Sequence, residues 1–115
     1  CYTETSMGIK LSMFDLKNLS KRTKSKLAVD ATASFGLEEN HKLADVVSFS
    51  SCKGLFGLTG AGFICYKPEP KNKVNSYVLN IQNAKDKKMT GPYHAMQSLE
   101  LVLENVPPVV LIVGV

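Results

Sequence analysis

The sequence predicts an α/β domain whose strands are at least partly parallel. Three observations carry that expectation. Residues 45–49 and 61–66 are short apolar runs on either side of a Gly-rich connection, and each reads as a buried strand. Residues 27–29 form a third apolar run, preceded by an amphipathic helical pattern. The resulting alternation of strand, helix, strand and strand belongs to layered α/β architectures. A chain of 115 residues with 44% hydrophobic content is long enough and apolar enough for one small domain with its own core.

Taken in order, Tyr2-Thr3-Glu4-Thr5-Ser6-Met7-Gly8 is a polar, hydroxyl-rich segment ending in Gly. Such segments follow strands in α/β proteins, and they also make simple turns. Ser12 is a helix N-cap candidate with Asp15 three positions on. Met13, Leu16 and Leu19 would give the following helix, of about three turns, an apolar face that Leu27 extends. Lys21, Arg22, Lys24 and Lys26 are expected as a solvated, cation-bearing helix end, with phosphate binding as the alternative.

Asp30 stands at the carboxyl end of the 27–29 strand, where open α/β sheets bind ligands. The plainer alternative is an Asx turn. His41, among Glu, Asn and Lys, is expected to be exposed. Lys67-Pro68-Glu69-Pro70-Lys71 takes the chain out of the sheet, because proline cannot serve a central strand. Residues 71–88 read as a long polar excursion with one extended piece at 77–81. A last helix begins at Thr90-Gly91-Pro92, presents Ala95, Met96, Leu99, Val102, Leu103 and Val106, and ends at Pro107-Pro108. Residues 107–115 form an atypical apolar tail, too short to span a bilayer.

Composition narrows the function classes. A net charge of +4 is too mild to argue for nucleic acid, and the basic helix end lacks interleaved aromatics. Three cysteines without a CxxC spacing give no zinc set and point to a reducing, cytoplasmic setting. Nothing in the sequence reads as a signal peptide or a membrane span. The chain opens as if inside a strand or loop, and it reads as an internal part of a longer protein.

The chemistry centres on Lys53, in Ser50-Ser51-Cys52-Lys53-Gly54. It stands on a tight connection between two core strands, which predicts a desolvated amine fit for attack on a carbonyl. The alternative is a surface lysine on a Gly-rich turn. Together with Asp30 and the hydroxyls of Thr5, Ser6, Thr32, Ser34, Ser50 and Ser51, the set suits a cofactor that forms a Schiff base and carries an aromatic nitrogen and a phosphate. The amine forms the imine, the carboxylate keeps the ring nitrogen protonated, and hydroxyls and backbone N–H groups hold phosphate and ring oxygen.

Four segments in this order resemble a family. Glu4-Thr5-Ser6-Met7-Gly8, Val29-Asp30-Ala31-Thr32-Ala33-Ser34-Phe35-Gly36, Ser50-Ser51-Cys52-Lys53-Gly54 and Gly60-Ala61-Gly62-Phe63 are similar to motifs of class V aminotransferases. These are fold type I enzymes that use pyridoxal 5′-phosphate. Within the class the sequence looks most like 2-aminoethylphosphonate–pyruvate transaminases, with alanine–glyoxylate transaminases as close relatives. The resemblance runs from about Thr3 to about Val106, and residues 1–106 would be the central part of the large domain.

It implies that Lys53 is the Schiff-base lysine and proton shuttle. Asp30 would pair with the pyridinium nitrogen, and Thr32 would pack near the ring. Thr5 would bond the phenolic oxygen, and Ser51 the phosphate. Thr90 would reach the phosphate of a neighbouring subunit's cofactor, which implies a homodimer. The implied substrates are a small amino donor and a 2-oxo acid acceptor. Family members are roughly three times this length, as expected for a large domain joined to a smaller one. Their upstream phosphate loop, ring-stacking aromatic and downstream carboxylate-gripping arginine have no counterpart here. A polar residue often precedes the family's lysine; here that position is Cys52, which the resemblance leaves without a role.

Overall fold

The structure is a computed structural model and describes residues 2–67, 74–76, 80–87 and 91–105. Among these residues it is a mixed α/β arrangement of two small sheets and three α-helices. The chain opens with a hairpin in which β1 (Thr3–Glu4) pairs antiparallel with β2 (Ile9–Lys10). Gly8 closes the turn at φ +65°, a left-handed conformation that glycine adopts without a Cβ penalty.

Helix α1 (Met13–Arg22) follows. Ser12 caps it, accepting the Asp15 backbone N–H at 3.3 Å, as the sequence predicted. Met13, Leu16 and Ser20 face inward, whereas Leu19 is exposed. At about 100° per residue Leu19 lies roughly 120° round the helix from Met13, outside the stripe that reaches the core. Lys17 bridges to Asp45 at 3.2 Å, and the same carboxylate accepts the Leu27 backbone N–H at 2.9 Å. That one acid ties the helix to the starts of the two strands at Leu27 and Asp45.

The second sheet has the order β3-β4-β5. β3 (Ala28–Asp30) runs parallel to β4 (Val46–Ser50), and β4 runs antiparallel to β5 (Gly62–Tyr66). The expected partly parallel sheet is therefore present. Its register sets Val29 opposite Val47 and Asp30 opposite Ser48. Val29 and Val47 join Tyr2, Met13, Ala31 and Ala44 in the buried core, with Leu16, Leu27, Phe35, Leu43 and Phe49 packed against it. The rings of Phe35, Phe49 and Phe63 stack in series, with centroids 3.7 and 5.0 Å apart.

One helix was not legible in the sequence. α2 (Ile81–Lys87) occupies part of the expected polar excursion, started by Asn80, whose Oδ1 accepts the Asn83 N–H at 3.1 Å. Most of the extended piece expected at 77–81 lies outside the described residues. α3 (Tyr93–Asn105) is present as expected, but only Ala95 and Leu99 are buried. They seat the helix on the β4–β5 connection, where Leu58 N–H donates to Ser98 Oγ at 3.0 Å. Met96, Leu101 and Leu103 remain exposed. The 107–115 tail lies outside the described residues.

Candidate functional site

Two parallel strands end side by side, and the candidate residues follow from that. Asp30 is the last residue of β3, and Lys53 lies three residues beyond the end of β4. Tyr2 N–H donates to the Asp30 carbonyl at 3.0 Å, which brings the first hairpin to the same edge. The Gly54 N–H donates to the Thr32 carbonyl at 3.3 Å, tying the lysine loop to the turn after β3. Gly54 is required there: a Cβ would lie 2.4 Å from the Phe35 carbonyl oxygen. The sheet therefore delivers Asp30, Thr32 and Lys53 to one end.

Asp30 is exposed, yet firmly oriented. Its Oδ1 accepts both the Thr32 backbone N–H at 2.9 Å and the Thr32 hydroxyl at 2.7 Å. These two bonds hold the carboxyl below the usual range, and the Lys53 charge acts in the same direction. The Asx turn, the plainer alternative, is thus present, and its two bonds fix the orientation of the carboxylate.

Lys53 departs from expectation. Its side chain is exposed, not desolvated. It adopts φ +57° at the start of a 3-10 turn, Lys53–Leu55, in which Gly54 and Leu55 are the buried members. Those two residues and Ser51 turn inward, so the lysine is left on the outer side of the loop.

Ser51 is fully buried. Its hydroxyl donates to the Leu58 carbonyl at 2.5 Å and accepts the Ala61 N–H at 3.2 Å, both within its own loop. Thr5 lies exposed in the turn of the first hairpin. Thr90 lies outside the described residues. Cys52 Sγ lies 3.1 Å from Ser50 Oγ, and this contact is the chief cause that lowers its thiol from the ordinary value, with Thr59 and Lys53 contributing.

One titratable group was misread in the sequence. His41, expected at the surface, is half-buried between the rings of Tyr2 and Phe35, 5.3 and 5.4 Å away. Its Nε2 lies 3.0 Å from the hydroxyl of the fully buried Ser34. Burial pushes the imidazole below its usual range, while Glu38 opposes the shift. Flanking charge misled the reading, because the residues that cover His41 come from elsewhere in the chain.

Among the described residues no three His, Cys, Asp or Glu side chains form a group that could hold a metal ion. No described helix is long and apolar enough to cross a membrane. An apolar groove of about 750 Å³ runs between Phe56–Leu58 and α3, and none of the described candidate residues lines it.

No family model matches the chain, and no curated protein matches it in sequence. The site has to be judged on its own donor set. An oriented, ionised carboxylate and an exposed primary amine at one sheet end suit a Schiff-base cofactor with a basic ring nitrogen. The phosphate side is less well provided, since Ser51 is committed internally.

Proposed function

We propose that this chain is the cofactor-anchoring part of a pyridoxal-phosphate-dependent aminotransferase of class V. Residues 1–106 would belong to the large domain of a fold type I enzyme, working as a homodimer in the cytoplasm. Its donor would be 2-aminoethylphosphonate or a similar amine, and its acceptor pyruvate. An alanine–glyoxylate-type activity is the nearest alternative within the class. The observation that carries the reading is the Asp30–Thr32–Lys53 arrangement, in which an ionised carboxylate and an amine stand at the carboxyl ends of adjacent parallel strands.

When bound, pyridoxal phosphate supplies an electron sink that makes a proton on the amine-bearing carbon labile. Everything else falls to the chain. Asp30 would hold the ring nitrogen in its protonated form, and the two Thr32 bonds fix the Asp30 carboxylate. Lys53 would hold the aldehyde carbon covalently, and as a free amine it can accept and return a proton. Thr5, in the adjoining hairpin, is available to the ring oxygen. The phosphate would need donors other than Ser51 as it stands, with Thr90 of a second subunit the candidate from the resemblance.

A second reading is favoured by the internally satisfied Ser51 and by the exposed apolar side chains Phe56, Leu58 and Leu101. In it, the chain is a module that packs with a partner and binds no cofactor. Absorbance after adding pyridoxal phosphate separates the two. A visible imine band that Lys53→Ala abolishes supports the enzyme reading. A band that persists in Lys53→Ala removes the lysine assignment, and the absence of any band favours the module.

A further inference from the structure

His41 touches both segments that meet at the end of β3. One is the first hairpin, where the Tyr2 ring meets the imidazole edge-on at 5.3 Å and the Tyr2 backbone N–H holds the Asp30 carbonyl. The other is the turn after β3. There Phe35 lies 5.4 Å from the imidazole, and the buried Ser34 hydroxyl lies 3.0 Å from Nε2. That turn backs directly onto the lysine loop. The Gly54 N–H bonds the Thr32 carbonyl, and a Cβ at Gly36 would come within 3.1 Å of the Gly54 carbonyl oxygen. The same turn supplies both Thr32 bonds to Asp30. A change at His41 therefore has two short routes to Asp30, and one of them also reaches the Lys53 loop.

The Ser34 contact depends on the charge of the ring. A neutral imidazole can accept the Ser34 proton on Nε2. A protonated one is a donor at both nitrogens, so the Ser34 hydroxyl must turn its own proton to the Ala31 carbonyl, 3.4 Å away. Protonation also places a charge on a half-buried ring against two aromatic side chains, which burial opposes. The surrounding charged groups are already engaged. Glu38, which favours the imidazolium, is paired with Lys10 of β2. Lys17 of α1, the helix packed on the His41–Leu43 turn, is paired with Asp45. Lys67, just past β5, donates to the Lys42 carbonyl, and the Tyr2 phenol lies 3.5 Å from the Glu39 carbonyl. We propose that His41 is a pH-sensitive latch: the neutral ring pins the 31–36 turn and the first hairpin at the end of β3, and protonation loosens that turn from the lysine loop. Weaker cofactor anchoring in acid is the consequence on the aminotransferase reading; the latch itself does not rest on that reading.

An NMR titration of the full chain without cofactor tests the latch. It follows the His41 ring and the Thr32 and Gly54 amides from about pH 7.5 to about pH 5, the range in which histidine titrates. Asp30 titrates below its ordinary 3.8, outside that range. Both amides are expected to shift with the midpoint of the His41 ring, below 6.5, while the Leu99 amide in α3 stays unmoved. His41→Gln should abolish the shared step. Ser34→Ala should shrink it at both amides while the ring still titrates. Where a variant fails to fold, the parent titration alone decides. Amides that stay flat while the ring titrates overturn the proposal. So does a step that survives in folded His41→Gln, or a ring that remains neutral down to about pH 5. The aminotransferase reading fails separately, through absence of the imine band in the parent chain.

Discussion

Thr32 closes on a single oxygen of Asp30 with both of its polar groups, the N–H at 2.9 Å and the hydroxyl at 2.7 Å. The relationship fixes a surface carboxylate, lowers its pKa, and leaves Oδ2 without a hydrogen bond among the described residues. Thr32→Val preserves shape and N–H but deletes the hydroxyl. The Asp30 titration, followed by carboxyl NMR, should move upward toward its ordinary value of 3.8. Pyridoxal phosphate should bind roughly fivefold more weakly, as expected for losing about 1 kcal/mol of hydrogen bonding. An unchanged titration would show that the hydroxyl plays no part.

Ser51 separates a structural role from a phosphate role. Its buried hydroxyl joins Leu58 and Ala61, so Ser51→Ala leaves the buried Ala61 N–H and the Leu58 C=O without that partner. Denaturant unfolding should show a loss of about 1–3 kcal/mol. A phosphate ligand behaves otherwise: stability would hold, and only the affinity for the phosphorylated cofactor would fall.

His41 makes stability depend on pH near neutrality. Its folded pKa lies below the ordinary 6.5 because the ring is half-buried. The unfolded chain therefore takes up the proton first. Stability is full above pH 6.5 and declines as pH falls through that value toward the folded one. Protonation also removes the Nε2 lone pair that can accept the Ser34 hydroxyl. The melting temperature should drop between pH 7.5 and 5.5, and His41→Gln should flatten that slope. Equal slopes in the two proteins would contradict the assignment.

Much of this arrangement was legible in the sequence because it is local. The Ser12 cap, the apolar runs that become β3, β4 and β5, and the Asp30-x-Thr32 turn all depend on residues a few positions apart. The facts that were missed depend on distant partners. His41 is covered by Tyr2 and Phe35, and Ser51 is buried by residues up to ten positions away. A tight connection between two core strands predicts a desolvated Lys53. The left-handed backbone at Lys53 and the close approach of Gly54 to Phe35 instead send the glycine inward and leave the lysine outside.

The central claim is that Lys53 and Asp30 serve one ring. Borohydride reduction of the chain after incubation with pyridoxal 5′-phosphate, followed by peptide mapping, measures this directly. A stable adduct is expected on Lys53, strongly reduced in Asp30→Asn and missing at that position in Lys53→Ala. Adducts spread evenly over the exposed lysines, and indifferent to Asp30, would contradict it.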